Sequence, residues 1–93
     1  MIHKIKLDTK WFDDVLCGNK TVEIRKNDRN YQEFDDVWMT EYFPNVAEQP
    51  ENPRVIVASI GTCIKGFNGA IMPDWIVFSL IQPELLESEG QNE

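Results

Sequence analysis

Positive charge is scarce over most of this chain. Beyond Arg29 only Arg54 and Lys65 remain, against eleven acidic side chains. That shortage excludes tight binding along a nucleic-acid duplex, which depends on neutralising many phosphates. Histidine occurs once, at His3, and cysteine twice, at Cys17 and Cys63. Their spacing fits no zinc pattern, so neither a metal nor a cofactor is expected. With no basic-then-apolar leader, the two cysteines read as reduced thiols and the location as cytoplasmic. No run of eighteen apolar residues is present, so no membrane partner is expected. The GxSxG, HExxH and P-loop patterns are also missing.

What the chain does have is an uneven charge distribution. The net charge is −7, yet residues 1–29 carry seven basic and five acidic side chains. A small, locally basic cleft is compatible with that arrangement. At 93 residues the chain makes one domain, and a chain of this size buries only about 60–65% of its unfolded surface. We read residues 1–82 as that domain and the acidic residues 83–93 as a disordered tail with at most one helical turn, Glu84 to Glu87.

His3 to Leu7 alternates, with Ile5 and Leu7 inward, and predicts a first strand. Asp8 or Thr9 offers an N-cap oxygen. Trp11, Phe12, Val15 and Leu16 then share one face of a short helix, Thr9–Cys17, stopped by Gly18. Lys20 to Lys26 reads as strand two. Asn27-Asp28-Arg29-Asn30 is a turn, because Asn and Asp side chains compete for the backbone there. Asp36 to Tyr42 is strand three, with its inward face undecided between Val37, Met39, Glu41 and Trp38, Thr40, Tyr42. Phe43 to Pro53 is an acidic, proline-rich loop. Arg54 to Ile64 is apolar on both faces and predicts a central strand covered on both sides. Gly61 marks a bulge or bend within it. Lys65 to Asp74 reads as a loop, and Trp75 to Ile81 as a last buried strand ended by Pro83. The order predicts an α+β fold whose antiparallel or mixed sheet curls into a small barrel to protect its edges.

The chemistry concentrates in Gly18–Gln32, where Lys20, Arg25, Lys26 and Arg29 fall within ten positions. With Val22 and Ile24 turned to the core, Thr21, Glu23 and Arg25 share the opposite face. Lys20 and Arg25 suit phosphate or a carbonyl edge, and Glu23 suits an exocyclic amine. Asn27 and Asn30 offer donors and acceptors, and Tyr31 offers a ring to stack on a base or to join the core. The same row also reads as a solvated strand face whose charges pair with one another.

GNKTVEIR resembles the GxKxxExR signature of the ASCH domains of the PUA-like superfamily. The longer run HKIKL…VLCGNKTVEIRKNDRNYQ…EY is similar to a small bacterial and phage branch of unknown function. The likeness covers most of residues 2–81 and is strongest from Gly18 to Tyr42. It implies a PUA-like β-barrel with one short helix after the first strand and a cleft lined by the motif. It also implies RNA or nucleotide binding. Two departures stand out: Phe34 where a glycine is expected before Asp35, and Asp36 at an apolar position. Phe34 tolerates positive φ poorly, so a rebuilt turn is expected. A few ASCH proteins are amidohydrolases acting on an acylated cytidine. They resemble this chain at Lys20 but carry threonine at the position of Glu23.

The function expected from these readings is binding of single-stranded RNA or a modified nucleotide, without catalysis. Lys20, Glu23, Arg25, Asn27, Arg29 and Tyr31 are the ligand-binding residues. One alternative is hydrolysis of an acylated nucleoside. The other is an acidic module that binds a host protein through residues 41–51 and the tail.

Overall fold

The computed structural model describes residues 1–86. Five strands and one helix follow in the order β1 (Ile2–Asp8), α1 (Thr9–Leu16), β2 (Val22–Lys26), β3 (Asp36–Tyr42), β4 (Val55–Phe67) and β5 (Ile71–Leu85). They form one mixed sheet ordered β1-β3-β4-β5-β2. β1 runs parallel to β3, and the other pairings are antiparallel. The strands that come first and second in the chain therefore lie at opposite edges of the sheet. The sheet curls into a half-barrel, and β1 and β2 each pair on one side only. The closed barrel expected from the sequence is thus left open along one seam.

Alternation fixes which face is inward. His3, Ile5 and Leu7 of β1 are buried, as are Val37, Met39 and Glu41 of β3. Asp8 caps α1, its Oδ1 accepting from the Lys10 backbone N–H at 2.9 Å. Gly18 leaves the helix at φ +85, the left-handed conformation that a side chain disfavours. Phe12 and Val15 of α1 are fully buried in the concave side of the sheet, while Trp11 is 42% exposed and falls outside the apolar stripe. Losing a buried aromatic such as Phe12 costs about 3–5 kcal/mol in comparable cores.

β4 is central but covered on one face only. Ile56, Ala58 and Ile60 are buried, and the residues between them are half-buried. Its apolar second face lies on the convex side of the half-barrel, and no further layer packs over it among the described residues. The segment 65–74 is hairpin and not loop: β4 runs to Phe67, and β5 starts at Ile71. Gly66 makes this possible, because a Cβ there would stand 2.8 Å from the Pro73 Cα. Pro83 does not end β5 either. The register slips between the pairs Val57↔Glu84 and Ser59↔Ile81, so Gln82 (φ +50) and Pro83 occupy a bulge where no ladder hydrogen bond is lost. A second slip, between Ile60 and Cys63, contains Gly61. The strand thus takes in residues 83–85, beyond the boundary drawn at 82; the rest of the acidic tail, 87–93, lies outside the described residues.

The turn before β3 keeps its left-handed residue despite the side chain. Phe34 stands at φ +74 with its ring 82% exposed. Its N–H donates to the Ile60 carbonyl at 2.8 Å, and the Ile60 N–H returns to the Asp35 carbonyl at 2.7 Å. This reciprocal pair holds the turn in place. Beside it the buried His3 Nε2 bonds to Asp35 Oδ2 at 2.8 Å, which holds the Asp35 carboxyl below its ordinary range.

Candidate functional site: the seam of the half-barrel

Because the sheet stops short of closure, the free edges of β1 and β2 border one cleft of about 970 Å³. The phase of β2 is the reverse of the sequence reading. Glu23 is 4% exposed and points into the concave side, whereas Val22 and Ile24 are 40% and 64% exposed. Register explains the inversion. Glu23 and Arg25 lie opposite Phe78 and Ile76 of β5, both fully buried, while Ile24 lies opposite Val77 on the convex face. Residues opposite one another in a ladder share a face.

A carboxylate taken out of water needs compensation worth several kcal/mol. Glu23 finds it locally. Lys20 Nζ donates to Glu23 Oε1 at 2.5 Å and to the Val22 carbonyl at 2.6 Å. Arg25 Nε donates to Glu23 Oε2 at 2.9 Å. The Arg25 Nη2 reaches across the seam to the Lys6 carbonyl, so one guanidinium joins the two free edges. Lys20 leads β2 in the phase of Val22, and the turn from Gly18 swings its ammonium back over Glu23.

The cleft lining contains Lys4, Lys6, Lys20, Arg25, Lys26 and Arg29 against Asp8, Glu23 and Asp28. That is an excess of cations inside a chain whose net charge is −7. The cations are not equivalent. Lys4 and Lys6 rest over the Trp38 and Tyr42 rings, 5.5 and 4.8 Å from the centroids. Lys20 and Arg25 are held by Glu23. Lys26 and Arg29 make no ion pair among the described residues and are the cations most available to an anion.

Two of the residues chosen from sequence have other roles. Tyr31 is 1% exposed, packed against His3 (4.7 Å between centroids) and Phe78 (5.1 Å). It touches the cleft only as part of its wall and has no free face for a base. Burial pushes its phenol up, while Arg25 and Arg29 nearby pull it down. Asn27 does not line the cleft. Its Oδ1 accepts from the Tyr31 N–H at 3.2 Å and its own N–H donates to the Asp74 carbonyl at 2.7 Å, so it shapes the turn. Sequence reasoning missed Trp11 and Trp75, 42% and 37% exposed, which both line the cleft. Each sits at the start of an apolar run and reads there as core.

The arrangement offers cations, a fixed carboxylate and flat rings along a groove between two sheet edges. Among the described residues no group of three or more His, Cys, Asp or Glu side chains is placed to hold a metal, and no helix is long and apolar enough to cross a membrane. The fold and the cleft define a small α+β half-barrel with a cationic seam. Residues 2–84 match the family described as a domain of unknown function, DUF3850, and the chain belongs to it. It is also similar to an uncharacterized 12.9 kDa protein in the GpA 3′ region of Escherichia phage P2, with 47% identity over 45 residues. That match spans 48% of this chain and 41% of the phage protein, less than half of either.

Proposed function

We propose that this half-barrel is an ASCH-type, PUA-like domain that binds single-stranded RNA or a modified nucleotide in its seam, without catalysis. The observation that carries the reading is the cation excess inside one cleft of an otherwise acidic protein. Charge of one sign concentrated in a low-dielectric groove attracts the opposite sign. The acidic remainder keeps affinity modest by opposing long-range attraction.

Lys26 and Arg29 supply the phosphate contacts. Arg25 orders the cleft, since its Nε and one Nη2 proton are engaged by Glu23 and Lys6, and three of its five N–H groups remain for a ligand. The hydrolytic reading needs a second carboxylate beside Lys20. Glu41 does not supply it, because it lies outside the cleft and is bound by Arg54 and Thr9. Glu41 is 6% exposed, so it is also not part of an acidic docking face.

The test is a titration of wild type and the double variant Lys26→Ala/Arg29→Ala against short unpaired RNA, an RNA duplex and free modified nucleosides at several salt concentrations. Wild type binds the unpaired strand in preference to the duplex. The variant binds more weakly, and its log–log salt slope is smaller by about 0.7 for each phosphate it no longer neutralises. Equal, weak binding by both proteins to every ligand rejects the reading. Turnover of an acylated cytidine, abolished by Lys20→Ala, replaces it with the hydrolytic one.

A further inference from the structure

Resting on that reading, we infer that the seam takes a short oligonucleotide strand and not a single nucleotide, with bases stacked on Trp11 at one end and Trp75 at the other. Both indoles line the cleft and are exposed by more than a third. Trp11 stands at the Lys20 end, its ring centroid 6.0 Å from Lys20 Nζ, with Lys10 Nζ 5.1 Å away. Trp75 is the register partner of Lys26 and stands at the other end, near the turn that carries Arg29.

Lys20 Nζ bonds the Val22 carbonyl, and from Val22 to Lys26 strand β2 advances about 13 Å at ~3.3 Å per residue. A base stacked on one ring therefore cannot touch the other. Bases stacked at about 3.4 Å bridge that length with roughly four nucleotides, and an extended strand with fewer, so the seam holds on the order of two to four. Phosphates at the Trp75 end meet Lys26 and Arg29, and Glu23, fixed between Lys20 and Arg25, faces the base edges. A flat ring at each end with cations between them is the pattern of a single-strand groove, where stacking tolerates any base. An extended acidic peptide would also find the cations and the free strand edges, but it would leave both indole faces unused.

Three tryptophans are present, and Trp38, whose ring lies under Lys4, does not line the cleft. The double variants Trp38→Phe/Trp75→Phe and Trp38→Phe/Trp11→Phe therefore leave one cleft indole each as a fluorescence reporter. Uridine mononucleotide and oligouridylates of two to eight residues are titrated against both. Affinity should rise with length and level off by about four residues, with both reporters quenched in the same concentration range. Trp11→Ala and Trp75→Ala should each weaken hexauridylate about 5- to 150-fold, the range of one base–aromatic stack, and leave circular dichroism unchanged. If either alanine variant is unfolded, the phenylalanine reporters still decide.

Length-independent affinity that remains sensitive to Lys26→Ala/Arg29→Ala overturns this inference and leaves the nucleotide reading standing. A response from one reporter alone does the same. Absence of binding at every length removes both. An oligoglutamate peptide that competes as well as hexauridylate overturns the strand and assigns the seam to acidic peptides.

Discussion

Two glutamates of this protein are buried to the same degree and do different work. Glu23 is 4% exposed and Glu41 is 6% exposed, each at an inward position of a strand, and each holds two charged or polar side chains. Glu41 gathers partners from distant parts of the chain. Arg54 Nε and Nη2 grip its two oxygens at 2.9 Å each, and Thr9 Oγ1 donates to it at 2.7 Å. The same guanidinium reaches Asp13 at 3.2 Å and lies 4.4 Å from the Phe12 ring centroid. Helix α1 is thereby tied to β3 and to the entry of β4. Glu23 takes both partners from within three residues of itself, and its cluster has one long connection, from Arg25 to Lys6. A buried carboxylate served by distant residues closes the fold. One served by its neighbours at a free sheet edge can exchange partners without unfolding the core, which is what a ligand requires.

The largest effect expected from breaking this pairing is at Glu41. Glu41→Ala strands Arg54 beside Phe12 and unties the helix. Breaking a buried pair costs about 3–5 kcal/mol, and because Arg54 is 44% exposed we expect roughly 2–3 kcal/mol in urea denaturation. That is a large share of the stability of a small domain. The hydrogen bonds from Arg54, opposed by burial, hold the Glu41 carboxyl below its ordinary value of 4.5, and Arg54 is held above its own range in turn. A depressed carboxylate contributes stability that is present above the unfolded value and lost as pH falls through the folded one. The gap between wild type and Glu41→Gln should therefore be full at neutral pH and close below 4.5. A gap independent of pH would mean that the pair does not carry the difference.

Glu23→Gln comes next in size, and it separates the two sites by function. It keeps the shape and one acceptor oxygen for Lys20 or Arg25, so the expected stability loss is about 1 kcal/mol. It also removes one negative charge from the cleft. Affinity for unpaired RNA should rise a few-fold, and the salt dependence should steepen, by up to about 0.7 in slope if Lys20 is freed to contact one more phosphate. Glu41→Gln, measured where it remains folded, should leave both unchanged. If the two glutamine variants alter RNA binding alike, the distinction between closing the fold and lining a site fails.

Much of the frame is legible in the sequence. Periodicity places β1, α1 and β3 within a residue of where they stand, although it leaves the inward face of β3 undecided because each face mixes apolar and polar side chains. Periodicity alone misplaces β2. Its apolar residues, Val22 and Ile24, face outward, and the concave side they would fill carries Glu23 and Arg25. The rule that apolar residues point inward holds where inside is packed, and it inverts where inside is a cleft. Trp11 and Trp75 escape for the related reason that an aromatic beside apolar neighbours reads as core, whether it is covered or lines an opening. Glu41 is undecidable in sequence because its rescuer, Arg54, is thirteen residues away and its second donor, Thr9, thirty-two. The hairpin through 65–74 is hidden by Gly66 and Pro73, which read as loop formers singly and as a close strand contact together.

The smallest expected effect is also the most local. Arg25→Lys keeps a cation near Glu23 but cannot hold Glu23 Oε2 and the Lys6 carbonyl with one planar group. The link across the seam is lost, while the partner of Glu23 is not. Global stability should fall by less than about 1 kcal/mol, since a half-exposed charge-assisted bond is worth little more. The change should instead appear in amide hydrogen exchange. β2 pairs only with β5 and loses its tie to β1, so its amides should exchange faster, while those of β3 and β4, bonded on both sides, keep their protection. Uniform acceleration through all five strands would place Arg25 with Glu41, as a residue that closes the whole fold. Unchanged exchange in β2 would show that the sheet edges are held apart and in register by the helix alone.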